Sequence, residues 1–70
     1  MIKVYSKENC INCDKIKKIL NEKGIIFEEI KDIEKAIEVG SENGIRSMPI
    51  VEIDNIFYDF NKIKQYLESV

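Results

Sequence analysis

The sequence contains no tryptophan and no histidine, and it has only one proline, three glycines and two cysteines among its 70 residues. A structural zinc site needs four protein ligands, so two cysteines without histidine cannot complete one in a single copy of the chain. The scarcity of proline and glycine leaves little room for linkers or low-complexity segments. A chain of this length predicts a single domain over residues 1–70.

Long hydrophobic runs are also missing. The longest unbroken apolar stretches are three residues long, as at residues 25–27, which is far too short to cross a membrane. Residues 1–5 turn polar at once and lack the apolar core of a signal peptide. We therefore expect a cytoplasmic protein with no membrane partner, in a reducing compartment where a permanent disulfide is rare.

Neither sign of charge dominates, since 11 basic and 13 acidic residues give a formal net charge of -2. No basic stripe marks a nucleic-acid surface, so no nucleic-acid partner is expected. The charge is uneven, because residues 1–23 hold six lysines against Glu8, Asp14 and Glu22. A solvated surface usually explains such a bias; the alternative is a locally electropositive region around the cysteines.

Four segments have the alternation or the β-branched content typical of strands: residues 2–5, 26–30, 50–53 and 56–58. The last two flank Asp54 and Asn55, a two-residue loop typical of a hairpin. Tyr5 and Tyr58 are expected to be half-buried sheet residues whose hydroxyl groups reach solvent.

Three segments have the apolar spacing of one helix face. The first begins near Ile11 and stops at Gly24. The second follows Asp32 as N-cap and ends at Gly44. Its predicted buried face consists of Ile33, Ala36, Ile37 and Gly40. The third follows Asp59 or Asn61 as N-cap and has the apolar positions Ile63, Tyr66, Leu67 and Val70.

The resulting order, β-α-β-α-β-β-α, predicts an α/β fold. The strands that flank the first helix must be parallel, and the last two strands antiparallel. A mixed four-stranded sheet with helices on both faces would bury every apolar stripe. With Cys10 and Cys13 at the start of the first helix, this order resembles the minimal thioredoxin fold.

The two cysteines stand in the motif Cys10-Ile11-Asn12-Cys13, where the first strand has ended and the first helix begins. Residues three apart on a helix are neighbours, so the two sulfurs can meet. The unpaired N–H groups of a helix start favour an anion, and Lys7 adds positive charge nearby. We expect a nucleophilic Cys10 that titrates near neutrality and a less acidic, more buried Cys13.

Three other interpretations of the pair stay open. A structural disulfide would close too short a loop to remove much entropy from the unfolded chain. A metal could be held between two subunits, or with the help of a carboxylate. In the third interpretation, the two cysteines are buried and chemically inert. The spacing and the position at a helix start favour redox chemistry, with no metal and no cofactor expected.

Residues 3–7 (Lys-Val-Tyr-Ser-Lys), the cysteine motif and residues 44–50 (Gly-Ile-Arg-Ser-Met-Pro-Ile) together resemble the glutaredoxin family. They are especially similar to its short bacterial and phage members that behave as thioredoxins. The resemblance implies that Cys10 is the attacking thiolate and Cys13 the resolving thiol. It also implies that Pro49 is a cis proline facing the cysteines, that the Met48 backbone pairs with an extended substrate, and that Lys7 helps to hold a thiolate or a glutathione carboxylate.

The chain departs from the glutathione-using members before its last helix. Those members usually carry a Gly-Gly pair and an aspartate there, whereas residues 57–61 contain no glycine. We expect Tyr58 and Phe60 to crowd the glutathione groove. The glutaredoxin-like electron donors of ribonucleotide reductase also lack glutathione binding and have a polar residue before the second cysteine, as Asn12 is here. They normally have a longer, Trp-containing connector.

The resemblance thus implies a monomeric dithiol oxidoreductase that reduces protein disulfides, with ribonucleotide reductase as a candidate substrate. Its electron donor would be a flavoprotein of the thioredoxin reductase type. The alternatives are a glutathione-dependent glutaredoxin and an iron-sulfur or other metal-binding module that uses the two thiols across a dimer.

Overall fold

The computed structural model describes residues 1–69, and the predicted order of strands and helices is confirmed within them. The elements are β1 (Ile2–Tyr5), α1 (Ile11–Glu22), β2 (Phe27–Ile30), α2 (Ile33–Asn43), β3 (Ile50–Ile53), β4 (Ile56–Tyr58) and α3 (Phe60–Glu68). Val70, the last position of the predicted third helix face, lies outside the described residues. None of the helices in this range has the length and apolarity needed to span a membrane.

The four strands form one mixed sheet in the order β2-β1-β3-β4. As predicted, β1 pairs with β2 in parallel and β3 pairs with β4 antiparallel; β1 and β3 are also antiparallel. The hairpin between β3 and β4 turns at Asp54 and Asn55, whose φ angles are 50° and 66°. Positive φ at both loop residues is the conformation that matches the twist of the flanking strands.

One face of the sheet is covered by α1 and α3. Adjacent strand residues point to opposite faces, and Val4 and Val51 point to this one. They pack with two residues from each helix to form a cluster in which no side chain is more than 1% exposed: Val4, Val51, Ile16, Leu20, Ile63 and Leu67. The periodic apolar positions of the first and third helices therefore point mainly into this core.

The other face is covered by α2 alone. Its buried cluster consists of Tyr5, Ala36, Val39 and Ile50. The prediction for Tyr5 was wrong, since only 3% of this residue is exposed. Burial raises the pKa of its hydroxyl, and the nearby carboxylate of Glu52 adds to that shift.

The predicted buried face of α2 is correct in one half and wrong in the other. Ala36 and Gly40 are buried, but Ile33 is 45% exposed and Ile37 is 66% exposed. Val39 takes the place of the two isoleucines in the core. The helix is therefore rotated so that Ala36, Val39 and Gly40 face the sheet.

Both predicted ends of the second helix are confirmed, and Asp59, one of the two predicted caps, begins the third. The Asp32 carboxylate accepts a hydrogen bond from the N–H of Lys35, and the Asp59 carboxylate accepts one from Lys62. Such N-caps satisfy backbone donors that the first helical turn leaves unpaired. Gly44 closes α2 with a φ of 69°, a left-handed conformation that glycine adopts without steric cost. These caps fix where α2 stops and where the loop toward β3 begins.

Candidate active site

The loop between β1 and α1 places Cys10 directly before the helix. Asn9 has a φ of 56°, a conformation that asparagine adopts more readily than most residues. Cys10 follows as the N-cap of α1 with an extended backbone. Its Sγ accepts a hydrogen bond from the backbone N–H of Cys13, with an N–S distance of 3.2 Å. The sulfur thus occupies the position that a side-chain oxygen fills at most helix starts.

The two cysteines are joined by a disulfide, and their Cα atoms lie 5.2 Å apart. Cys10 is 8% exposed, whereas Cys13 is completely buried. The expected difference in burial is therefore confirmed. Cys10 thus keeps a small exposure to solvent, and Cys13 has none. When the bond is reduced, the helix start and the Cys13 N–H favour negative charge on Cys10.

A cis peptide bond joins Met48 to Pro49 immediately before β3. This confirms the cis isomer that the family resemblance implies for Pro49. Pro49 is fully buried, whereas Met48 is half-buried. The cis bond therefore stands at the end of the loop from α2, with Met48 as the more exposed of its two residues.

An open cleft of about 1010 Å³ adjoins Cys10. Its lining comes from the start of α1, from one side of α2 and from the loop that connects α2 to β3. Lys7 and Met48, two of the predicted substrate-binding residues, both line it. Pro49, the third, is buried and contributes no lining surface. The fold therefore brings Cys10, Lys7 and Met48 to one cavity.

The cleft is positively charged. Lys7 and Arg46 are the only charged residues among the described ones that line it, and none of the lining residues is acidic. The chain as a whole is nevertheless acidic, with a net charge of -2. Of the six lysines in residues 1–23 that suggested an electropositive region around the cysteines, only Lys7 lines the cleft.

Ile33 and Ile37 also line the cleft, and sequence reasoning missed them as site residues. Their spacing predicts a core face, because periodicity cannot tell a buried stripe from an apolar stripe that borders a cavity. The number of apolar residues on α2 could have revealed them. Five apolar or small residues between positions 33 and 40 are more than one face against a sheet requires.

The crowding of a glutathione groove by Tyr58 and Phe60 stays a prediction. Both side chains pack against the cluster under α1 and α3, and neither lines the cleft. The ring of Tyr58 instead lies 5.5 Å from that of Tyr66, centroid to centroid. The connector before α3 is therefore directed toward the core of the other face.

A polar network connects β1, β2 and α1 beside the cysteine loop. The hydroxyl of Ser6, which is completely buried, donates to the carboxylate of Glu29 at 2.6 Å. The Lys17 ammonium donates to the same oxygen at 2.7 Å and lies 3.6 Å from Asp14. The hydrogen bonds from Lys17 and then Ser6 lower the pKa of Glu29, and the bond to Glu29 raises that of Lys17. The network fixes the first turns of α1 against the edge of the sheet.

Within residues 1–69, no three side chains of the types that bind metals come together. The two cysteines form a pair with no carboxylate or histidine as a third member. A metal held by Cys10 and Cys13 would therefore need its remaining ligands from a second copy of the chain or from a small molecule.

Comparison with known sequences gives two informative relatives. The glutaredoxin-like protein NrdH of Lactococcus lactis is 38% identical over 64 residues, which cover 83% of this chain and 83% of that protein. The N-acetyl-S-hydroxy-L-cysteine reductase of Bacillus subtilis is 40% identical over 57 residues, which cover 74% of this chain and 59% of that protein.

Comparison with solved structures confirms the thioredoxin-like fold. NrdH-redoxin of Escherichia coli, described as a glutaredoxin-like protein with a thioredoxin-like activity profile, superposes with a TM-score of 0.73 at 25% identity. The match covers 83% of this chain and 79% of that one. The family model described as glutaredoxin matches residues 2–58. The chain therefore belongs to the glutaredoxin family of redox proteins.

Proposed function

We propose that this chain is a dithiol oxidoreductase that reduces disulfide bonds in other proteins, acting as a cytoplasmic monomer with one domain over residues 1–70. The observation that carries the proposal is the asymmetry of the cysteine pair. Cys10 stands at the edge of a cleft and accepts the N–H of Cys13, whereas the Cys13 sulfur is buried one turn along α1. This arrangement separates an attacking thiol from a resolving one.

The cycle begins with both cysteines reduced. The Cys10 thiolate attacks one sulfur of the substrate disulfide; the substrate S–S bond breaks, and the other sulfur leaves as a thiolate with the electron pair. The Cys13 thiolate then attacks Cys10 Sγ and expels the second substrate sulfur. The protein ends with a Cys10–Cys13 disulfide, two electrons have passed to the substrate, and two protons complete its thiols.

Substrate binding is assigned to Lys7, Met48 and Pro49. Lys7 and Met48 line the cleft beside Cys10, and Met48 lies one residue before the cis proline that leads into β3. The Met48 backbone would pair with an extended substrate segment by strand addition. Lys7 would stabilise the thiolate or a substrate carboxylate, and Pro49 would set the direction of the Met48 backbone.

The electron donor is assigned to a flavoprotein of the thioredoxin reductase type. The thioredoxin-like activity profile of the Escherichia coli neighbour supports this choice, and so does the lack of glycine in residues 57–61. Because the known relatives include a protein named NrdH and the motif resembles electron donors of ribonucleotide reductase, that enzyme is the candidate substrate.

Single-turnover reduction of a protein disulfide tests the two cysteine roles. Cys10→Ser should lower the rate of thiol release at least about a thousandfold, because the attacking group is gone. Cys13→Ser should still release the first substrate thiol but accumulate a mixed disulfide on Cys10, visible by mass spectrometry. Equal losses in both variants, with no trapped species after Cys13→Ser, would contradict the assigned order.

Coupled NADPH consumption tests the donor. Reduced protein is recycled either by thioredoxin reductase or by glutathione with glutathione reductase, with the same disulfide substrate in both assays. Turnover with thioredoxin reductase alone is expected. Turnover with glutathione alone would favour the glutathione-dependent alternative. A visible absorption band on purified protein, lost in Cys10→Ser, would favour the cluster-binding alternative.

The Bacillus subtilis relative suggests a second substrate class, a low-molecular-weight S-hydroxycysteine. The observation in its favour is the cleft charge, since Lys7 and Arg46 could hold the carboxylate of a small acid. Cys10 would attack the sulfur, hydroxide would leave as water, and Cys13 would resolve the mixed disulfide. Reduction of such a sulfenic acid faster than of a protein disulfide would favour this class.

A further inference from the structure

The most exposed apolar side chains beside Cys10 come from two helices. Ile33 and Ile37 lie one turn apart on α2 and are 45% and 66% exposed, and Ile11 at the start of α1 is 73% exposed. All three line the cleft that Cys10 borders. Large exposed apolar residues that converge on one cavity mark a binding surface more often than scattered ones do.

These isoleucines are not a part of the core that is merely poorly covered. The cluster under α2 is already closed by Tyr5, Ala36, Val39 and Ile50, each at most 5% exposed. Residues i and i+4 of a helix share one face, so Ile33 and Ile37 present a continuous apolar strip to the cavity. This strip is removed from water only when another molecule occupies the cleft.

The cleft also carries positive charge, which can attract an acidic group of a bound segment. Lys7 and Arg46 line it without any acidic residue among the described lining. Both ion pairs found within residues 1–69 belong to Lys17, so the cleft cations are not neutralised by a salt bridge there. A concave site lined by one sign of charge concentrates the field and attracts the opposite charge.

We infer, building on the proposed function, that the cleft selects one class of protein disulfide. Its occupant is an extended segment whose reactive cysteine is flanked by an aliphatic residue, which covers Ile33 and Ile37, and by a glutamate or aspartate, which meets Lys7 and Arg46. The selection acts when the mixed disulfide on Cys10 forms. The electrons and protons follow the cycle already given.

Four synthetic peptides test the inference. Each carries one cysteine and is oxidised to its symmetrical disulfide; they differ only in leucine or serine at one flanking position and glutamate or lysine at another. Fully reduced protein is mixed with each disulfide, quenched in acid, and the released peptide thiol is quantified. No recycling reductase is present, so the result does not depend on the electron donor.

The leucine-glutamate peptide should react fastest. Leucine should exceed serine by about tenfold in the second-order rate constant, since part of an aliphatic side chain is buried. Glutamate should exceed lysine by about fivefold at low salt, a typical effect of partly exposed charge pairs. Raising the salt from about 0.05 M to about 0.5 M should reduce the glutamate preference and leave the leucine preference.

Substitutions assign each preference to its residues. Ile37→Ser should reduce the leucine-to-serine ratio toward one, whereas Ile26→Ser should keep the ratio, because Ile26 is 85% exposed but lies outside the cleft. Arg46→Glu should remove the glutamate preference, because the new carboxylate offsets the remaining charge of Lys7 in the cleft. The same charge reversal at Lys64, an exposed residue of α3, should leave the preference unchanged.

Equal rates for all four peptides at low salt would overturn the inference while leaving the proposed function intact. Failure to reduce even a small disulfide, 2-hydroxyethyl disulfide, would overturn the proposed function instead. In that case, binding of cysteine-to-serine versions of the peptides, followed by NMR shifts of the Ile33, Ile37 and Arg46 amides, still decides the inference. Tightest binding of the leucine-glutamate version supports it, and indifferent binding refutes it.

Discussion

On one face of the sheet, α1 and α3 together enclose Val4 and Val51, and every member of that cluster is at most 1% exposed. On the other face, α2 alone covers Tyr5 and Ile50 and turns part of its apolar surface outward to the cleft. The first face is a fully buried core, whereas the α2 side of the second forms part of a core and also lines the cleft.

The difference shows that the same apolar pattern serves two purposes in this chain. On α1 the periodic isoleucine and leucine residues are removed from water on folding, so their burial contributes to the free energy of unfolding. On α2 two isoleucines keep much of their surface in contact with water in the free protein, so the burial of that exposed part can contribute only to binding. A matched pair of substitutions separates these contributions.

The largest expected effect comes from replacing an isoleucine on each face by alanine. Ile16 is completely buried in the closed core, so Ile16→Ala should lower the free energy of unfolding by about 2–5 kcal/mol. Ile37 is 66% exposed, so Ile37→Ala should change it by less than about 0.5 kcal/mol. Urea unfolding of both oxidised variants gives the comparison.

That comparison has a clear failing outcome. If Ile37→Ala destabilised the protein as much as Ile16→Ala, the side chain would be part of the core, and the division between the two faces would be wrong. Alanine is a better helix former than isoleucine, so a slight stabilisation by Ile37→Ala agrees with the division.

The order of elements could be predicted because each signal is local. Alternation in residues 2–5, the caps Asp32 and Asp59, and the loop at Asp54 and Asn55 act within a few residues of themselves. The position of Cys10 at the start of α1 follows from the same local reading. The Met48–Pro49 cis bond was implied only by the family resemblance, since either isomer is allowed by the dipeptide itself.

The orientation of α2 and of the connector before α3 could not be predicted. Both depend on how whole elements pack, and no local pattern contains that information. The helical spacing predicts burial for Ile33 and Ala36 alike. Ala36 is the one that faces the sheet, because its small side chain allows the helix to pack closer to the strands. Tyr58 and Phe60 likewise follow the larger core under α1 and α3. The cleft was therefore missed on its α2 side.

A second, smaller effect should come from Gly40 on α2. A methyl group built there would overlap the backbone carbonyl oxygen of Ile45, at the start of the loop that lines the cleft. The overlap outweighs the helix preference for alanine, so Gly40→Ala should cost about 1–3 kcal/mol.

Because that loop must shift to admit the methyl group, Gly40→Ala should also slow disulfide reduction, an effect that Ile16→Ala is not expected to show in its folded fraction. The matched variant is Gly44→Ala, which meets no neighbouring atom but strains a φ of 69° and should cost about 1–2 kcal/mol. Measurement of both the free energy of unfolding and the single-turnover rate separates the two glycines. An unchanged rate in Gly40→Ala would contradict the expectation that disulfide reduction depends on the position of this loop.

The smallest effect should come from Glu29, which lies on the edge strand β2 of the sheet. Removing its charge with Glu29→Gln weakens the bonds from Lys17 and Ser6 and should cost about 1 kcal/mol near pH 7. The pKa of Glu29 is lowered in the folded protein from its ordinary value of 4.5, first by Lys17 and then by Ser6. Its contribution to stability is therefore complete above pH 4.5 and disappears as the pH falls through the lower folded value.

Urea unfolding of wild type and Glu29→Gln should give different free energies of unfolding at pH 7 and the same value at the acid end. Glu28→Gln, on the same strand, is the control and should show no such pH-dependent difference. A gap that persists in acid would show that Glu29 acts through packing alone.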